Sequence, residues 1–221
     1  MTTKTFPVKG FENFPDIRAG FIGRTPGVDL QTDKNEALQI LKLPHREAGT
    51  KLGFGDFPLV TAEQIHEDKI TIIRDWKKDD ESPVLGADAL ITAVPQITLG
   101  IYVADCAAVW LADPVAHVIA LVHSGKKGTS LNIVGKTLRL MASEFSCDMR
   151  NITATISPCI RPPHYEVDFA STIQTQLTAE GVKNIFDEKI CTASHTKDFY
   201  SYRVEHGKTG RMLALLAMTA K

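Results

Sequence analysis

Cysteine is scarce in this 221-residue chain: Cys106, Cys147, Cys159 and Cys191 are the whole complement, and no two of them form a CxxC pair. That excludes a disulfide scaffold and paired-cysteine zinc modules, and it suits a reducing compartment in which each stays a thiol. Net charge is equally scarce. Lys and Arg number 25 against 26 Asp and Glu, a formal balance of -1, so no global field attracts a polyanion and no nucleic acid partner is expected. No apolar stretch approaches the roughly 20 residues that cross a bilayer, so no membrane partner is expected either. The opening MTTKTFPVKGFENFPD lacks the apolar core and small-residue cleavage site of a secretory signal, and the expectation is a cytoplasmic protein. Repeats, linkers and low-complexity tracts are missing, while 43% of the residues are hydrophobic. A single domain over residues 1–221 is therefore expected.

Strand-like runs occupy residues 69–74, 89–92, 98–103, 107–112, 117–122 and 152–157, separated by Pro, Gly and Asp. Helical periodicity is clearest over 130–145, where Leu131, Val134, Leu138, Met141 and Phe145 recur, with Thr129 or Ser130 as cap. Weaker helical patterns cover 34–43, 169–179 and 209–218, and the polar stretch 75–83 reads as a solvated loop. The expected fold class is α/β, a sandwich of mixed, mainly antiparallel β-sheet covered by helices.

The segment ADCAAVWLADPVAHVIALVHSGKKG, from Ala104 to Gly128, carries the strongest chemical signal. Its two apolar runs flank Asp113-Pro114-Val115-Ala116, a turn sequence, so the segment is expected to fold as a hairpin. A turn centred between Pro114 and Val115 pairs Cys106 directly with His123. Directly opposed residues point to one face with Cβ atoms about 4.5–5.5 Å apart, close enough to share a metal ion or a proton. A zinc site with an open position needs a third protein ligand, and His66 in AEQIHEDKI is the best candidate; Gln64 would share its face on an extended segment. The same pair also fits a cysteine nucleophile with His123 as its base, or a buried thiol beside unrelated histidines. Spacing alone leaves all three open. Asp105 would point to the opposite face of a regular strand unless a bulge turns it back.

Other segments carry weaker signals. SGKKGTS, directly before a helix, gathers backbone N–H groups and Lys126 and Lys127 as at many phosphate sites, or is a solvated loop. It is no Walker loop, because Ser130 stands where the first glycine should be. The proline-rich ISPCIRPPHYEVD reads as a stiff connection whose Cys159 and His164 are packing and surface residues. FYSYRVEHGKTGRM places Tyr200, Tyr202, Arg203 and Arg211 about one turn, residue types suited to stacking and to anions.

Taken together, GFIGR ending at Arg24, Gln64-x-His66, ADAL at 87–90, ADC at 104–106, the strand ending in His123, ISPCI, YEV at 165–167 and the closing SYR and TGR resemble the YfiH family over nearly the whole chain. Members of that family are described variously as laccase-domain proteins, polyphenol oxidases and purine nucleoside phosphorylases. The resemblance implies an α/β sandwich with zinc held by His66, Cys106 and His123. It further implies a purine nucleoside enzyme that cleaves inosine or adenosine with phosphate and can deaminate adenosine at purine C6. On that basis Arg24, Lys127 and Arg203 are candidates for phosphate, Gln64 for the substrate and Asp105 for acid–base work. The laccase label raises copper-dependent phenol oxidation as an alternative, although one His2Cys set is a poor match to the several centres of a four-electron oxidase. Family members commonly read HAGWRG after the last ligand. This chain reads His123-Ser124-Gly125-Lys126-Lys127-Gly128, with Glu67 after His66 and Ser157 in place of glycine. Lysine keeps the charge of arginine but not its planar fork, so the departure implies changed specificity or reduced activity with the metal retained, or a non-catalytic metal-binding member.

Overall fold

A computed structural model describes residues 2–28, 30–76 and 83–220, and in it the apolar runs build two facing β-sheets. The elements in chain order are β1 (Thr5–Pro7), β2 (Ile17–Ile22), α1 (Lys34–Lys51), β3 (Leu59–Thr61), β4 (Ile70–Ile73), β5 (Ala89–Thr92), β6 (Thr98–Val103), β7 (Ala107–Asp113) and β8 (Val118–Ser124). They continue with α2 (Lys126–Ser130), α3 (Ile133–Phe145), β9 (Thr153–Ile156), α4 (Phe169–Ala179), β10 (Asn184–Asp187) and β11 (Met212–Met218). One sheet has the order β1-β2-β11-β6-β3 and the other β10-β9-β7-β8-β5-β4. Pairing is parallel at β3/β6, β4/β5 and β9/β10 and antiparallel elsewhere. The fold is thus the mixed, mainly antiparallel α/β sandwich expected from the sequence. No helix among the described residues is long and apolar enough to cross a membrane.

Strand periodicity sorts side chains between two layers. Phe21, Leu99, Ile101, Trp110, Leu121 and Leu216 fill the space between the sheets, while Val109, Ala120, Val122 and Ile156 face α3 and α4 on the outside of the second sheet. Trp110 joins the sheets directly, its Nε1 donating to the carbonyl of Leu215 at 2.9 Å.

Four expectations need correction. Residues 209–218 were expected to be helical, but 212–218 form β11, the central strand of the first sheet. All seven of its residues are buried, Ala214 and Leu216 between the sheets and Leu213, Leu215 and Ala217 against Ala48 of α1 and its neighbours. A strand buried on both faces has no polar alternation, and its Leu, Ala and Met content imitates a helix. The helix expected over 130–145 is broken. Asn132, at φ 56°, interrupts it and caps α3 by accepting from Gly135 N, so neither Thr129 nor Ser130 is the cap. Helix α1 runs to Lys51 through Pro44, because Leu41, His45 and Ala48 continue one buried face beyond the lost hydrogen bond.

The fourth concerns the hairpin. His123 pairs with Ala108, not Cys106, because the strands are joined by four residues, 114–117. Asp113 Oδ1 accepts from the N–H of both Val115 and Ala116 at 2.9 Å, and His117 takes φ 53°, which moves the turn centre one residue onward. Of the stretch expected to be a solvated loop, residues 77–82 lie outside the described residues.

His45 stands out within α1. It is 4% exposed and neither ring nitrogen has a hydrogen-bond partner of good geometry among the described residues, while its ring stacks 5.9 Å from that of Tyr102. Burial pushes its pKa down from 6.5 to about 4. Between those values the unfolded chain binds a proton that the folded chain refuses, so stability is lost as pH falls through this window, by about 3 kcal/mol at most. Denaturant midpoints measured from pH 6.5 to pH 4 are expected to fall less steeply in His45→Phe than in the unsubstituted protein; equal slopes would show that His45 carries no such linkage.

Candidate metal centre

The ends of β6, β7 and β8 leave the inter-sheet layer open, and polar side chains replace apolar ones there. Ala108 and Trp110 of β7 face the other sheet, so Cys106, two residues earlier, lies on the same side. Ile119 and Leu121 set the side of His123 in the same way. The two-residue register difference therefore leaves the pair in diagonal rather than direct opposition, still within side-chain reach. Opposite Cys106 stands Gly125, where an added Cβ would lie 2.5 Å from Cys106 Sγ. A glycine is required there by close approach.

His66 arrives from a segment that is not extended. Gln64 and His66 both take left-handed backbone, at φ 64° and 63°, so the shared face expected of them does not form. Gln64 is instead a clamp: its Oε1 accepts from Tyr102 N at 2.9 Å and its Nε2 donates to Tyr102 O. Both ends of the amide are thus engaged by backbone. Asp88, fully buried, holds the other side of the segment by accepting from His66 N at 3.0 Å and Glu67 N at 2.8 Å. The same carboxylate accepts from His123 Nδ1 at 2.7 Å, which leaves His123 Nε2 as the ring nitrogen turned toward Cys106.

One ligand atom each from His66, Cys106 and His123 lies within 4.8 Å of the others, and the two rings meet edge to face at 4.8 Å. This cluster could hold a metal ion. Without a metal its electrostatics favour a Cys106 thiolate beside a protonated His123, and His123 releases that proton when it ligates. Burial opposes a Cys106 thiolate, but His123 and His66 outweigh it and hold the thiol well below its ordinary value. Burial likewise opposes charge on His123, and the Cys106 and Asp88 charges overcome it and raise its pKa. Burial pushes Asp88 up, yet the His123 hydrogen bond and the N–H groups of Glu67 and His66 bring it below the ordinary carboxylate value.

The cluster opens into a cleft of about 570 Å³, within the roughly 300–1,000 Å³ range of small-molecule sites. The strand start does bend at Asp105, which takes φ 79° and turns its carboxylate to the cleft wall. There Oδ1 accepts from Thr192 Oγ1 at 2.6 Å and Oδ2 from Ser201 Oγ at 3.1 Å and Arg203 N at 2.7 Å. Asp105 braces the 201–203 loop. Arg203 lies at the wall over the ring of Tyr165, 4.9 Å from its centroid.

Two phosphate candidates lie elsewhere. Arg24 is not among the cleft-lining residues; its guanidinium pairs with Glu205 at 2.8 Å, donates to the Phe199 carbonyl and covers the ring of Tyr200. Lys127 is turned away by an ion pair with Glu67, and its neighbour Lys126 lines the cleft. Asp88 and Lys34 also stand at the site, and neither is among the candidates named from the sequence. An acidic residue at the head of the apolar strand ADAL was a usable signal for Asp88, whereas Lys34 in the first turn of α1 carried none.

A family model described as multi-copper polyphenol oxidoreductase laccase matches residues 27–171 and 167–219. The chain belongs to this family. Within the laccase-like family, a purine nucleoside phosphorylase of Clostridium acetobutylicum is 33% identical over 180 residues, covering 70% of this chain and 74% of its own. Another, from Corynebacterium glutamicum, is 28% identical over 227 residues and covers 90% and 91%. YlmD from Geobacillus stearothermophilus superposes with a TM-score of 0.81 at 23% identity over 94% of this chain and 93% of its own. Bacillus licheniformis YfiH does so with 0.81 at 22% identity over 94% and 95%. These two establish the shared YfiH-like fold.

In metal-free protein the Cys106 thiolate is expected to form below the ordinary thiol pKa of 9.0, read as ultraviolet thiolate absorbance against Cys106→Ala. His123→Gln should shift the titration toward 9.0; an unshifted titration would remove His123 as its cause.

Proposed function

We propose that this laccase-like family member is a zinc-dependent purine nucleoside phosphorylase, splitting inosine or adenosine with phosphate into free base and ribose 1-phosphate, with adenosine deamination in the same cleft. The observation that carries the reading is the His66, Cys106 and His123 cluster opening into a cleft with aromatic and cationic walls. Relatives named purine nucleoside phosphorylase support it.

Two imidazoles and one thiolate suit zinc, and Asp88 fixes His123 in the tautomer that leaves Nε2 available. Bound there, zinc supplies a Lewis acid that polarises substrate atoms at the end of the cleft. The remaining work belongs to the chain. Tyr165 and Phe169, edge to face at 6.0 Å, offer an apolar wall on which a purine can stack. Phosphorolysis joins a phosphate oxygen to the anomeric carbon as the carbon–nitrogen bond breaks and its electron pair leaves with the base. The cleft cations oppose the phosphate charge and position the nucleophile. Asp105 contributes by holding Arg203 N and the 201–203 loop in place, since both its oxygens are occupied.

A cysteine hydrolase is the second reading that a specific observation favours, because Asp88 orients His123 as an acceptor orients the base of a nucleophile pair. His66 favours the metal reading, because a bare pair has no use for a third donor within 4.8 Å. Copper oxidation ranks below both. Among the described residues one three-residue donor cluster is found, and four-electron oxygen reduction needs several centres.

The purified protein is expected to carry zinc stoichiometrically and to release hypoxanthine from inosine only with phosphate. Cys106→Ala should lose the metal with the far-ultraviolet spectrum unchanged, and Asp88→Asn should weaken metal binding about 10–100-fold. Full activity in metal-free protein, or base release independent of phosphate, would overturn the proposal.

A further inference from the structure

The cleft holds more positive charge than the protein neutralises. Its lining includes Lys34, Lys126, Arg203 and Arg211 against the single carboxylate of Asp105, whose oxygens are already engaged. Lys126 and Arg203 share Glu166, at 3.2 and 3.4 Å. Lys34 and Arg211 have no carboxylate within ion-pair distance among the described residues.

Arg211 is 9% exposed. Its Nη1 donates to the carbonyls of Thr209 and Gly210 at 2.7 and 2.9 Å, while Nε and Nη2 have no protein partner among the described residues. Lys34 gives Nζ to the Glu63 carbonyl at 2.9 Å. Burial and then the Arg211 charge disfavour the Lys34 cation, with Glu63 and Asp88 acting the other way. Its place in the first turn of α1 adds the positive end of the helix dipole. Burial also disfavours the Arg211 cation, against the opposing influence of Tyr202, Cys106, Asp105 and Glu205. A repelling pair of cations, Arg211 buried and Lys34 half-buried, with donors open to a cleft is costly without an anion between them.

We propose that Lys34 and Arg211 form an oxyanion subsite beside the Cys106 end of the cleft, and that its ligand is inorganic phosphate. The subsite stands on the geometry of these two residues; its identity as the co-substrate position rests on the phosphorylase proposed above. It places the nucleophile at a different pair of residues from Arg24 and Lys127, which the structure holds outside the cleft. Lys126 and Arg203, already paired with Glu166, shape the wall around it.

The test is calorimetric titration of inorganic phosphate into the purified metal-loaded protein, with Lys34→Gln, Arg211→Lys and the exposed control Lys183→Gln. Lysine at 211 keeps the charge but cannot hold two carbonyls and present a fork as well. Lys34→Gln and Arg211→Lys are each expected to weaken phosphate binding about 10-fold or more, with the control unchanged. In turnover they should raise KM for phosphate by a similar factor and leave KM for the nucleoside unaltered. Should Arg211→Lys fail to fold, Lys34→Gln carries the test alone, since glutamine is a good helix former on that first turn. Phosphate affinity unchanged in Lys34→Gln and in any folded Arg211 variant would overturn the subsite, as would binding of nucleoside monophosphate without inorganic phosphate. Turnover with phosphate KM unmoved in the variants would sink the subsite and leave the phosphorylase standing. Variant-sensitive phosphate binding without nucleoside turnover would sink the phosphorylase and support the subsite.

Discussion

A single buried carboxylate, Asp88, ties the irregular His66 segment to the end of β8, where β5 and β8 pair in one sheet. It binds His123 Nδ1 on β8 and the N–H groups of His66 and Glu67 on an irregular segment, while its own backbone bonds Lys69 and His123. Burying a carboxylate without partners is prohibitive, so the left-handed turn at His66 and the orientation of the His123 ring are linked consequences of satisfying it. Two of the three donors of the candidate metal centre are thereby positioned by one side chain that is not itself in the cluster. Its cost is offset by charge-assisted hydrogen bonds.

The sandwich supplies the rest. Its inner layer is filled by large apolar side chains along β7 and β8 until the strands run out, and Cys106 and His123 continue the same facial register into polar surroundings. The site is in this sense the end of the core. Its floor is as rigid as the packing behind it, because Trp110 in the same strand bonds across to Leu215 in the other sheet. Gly125 completes the arrangement by letting β8 turn into α2 against the Cys106 sulfur.

The loop after His123 shows how a substitution can be read only in place. Lys126 and Lys127 look equivalent in the string HSGKKG, yet Lys126 lines the cleft beside Glu166 and Lys127 is drawn off by Glu67. The glutamate after His66, itself a departure from the usual glycine, is what selects between them. Cleft charge is consequently concentrated on side chains from four separate regions, α1, α2, the 201–203 turn and the entrance to β11.

Alternating apolar runs and turn residues marked most central strands and the α4 helix, and the linear order of ADC and the strand ending in His123 put thiol and imidazole on one face of a hairpin. Those features depend on neighbours a few residues apart, which the sequence displays directly. The sequence could not distinguish β11 from a helix, because burial of both strand faces erases the periodicity that tells them apart. Nor could it set the hairpin register, which turned on Asp113 accepting two N–H groups and on His117 adopting a left-handed backbone. The removal of Arg24 from the cleft, the choice of Lys126 over Lys127 and the meeting of Lys34 with Arg211 were decided by tertiary structure alone. Each follows from which opposite charge or carbonyl lies nearest in space, and residues such as Arg24 and Glu205, or Lys34 and Arg211, are brought together only when both sheets and α1 have closed on the core.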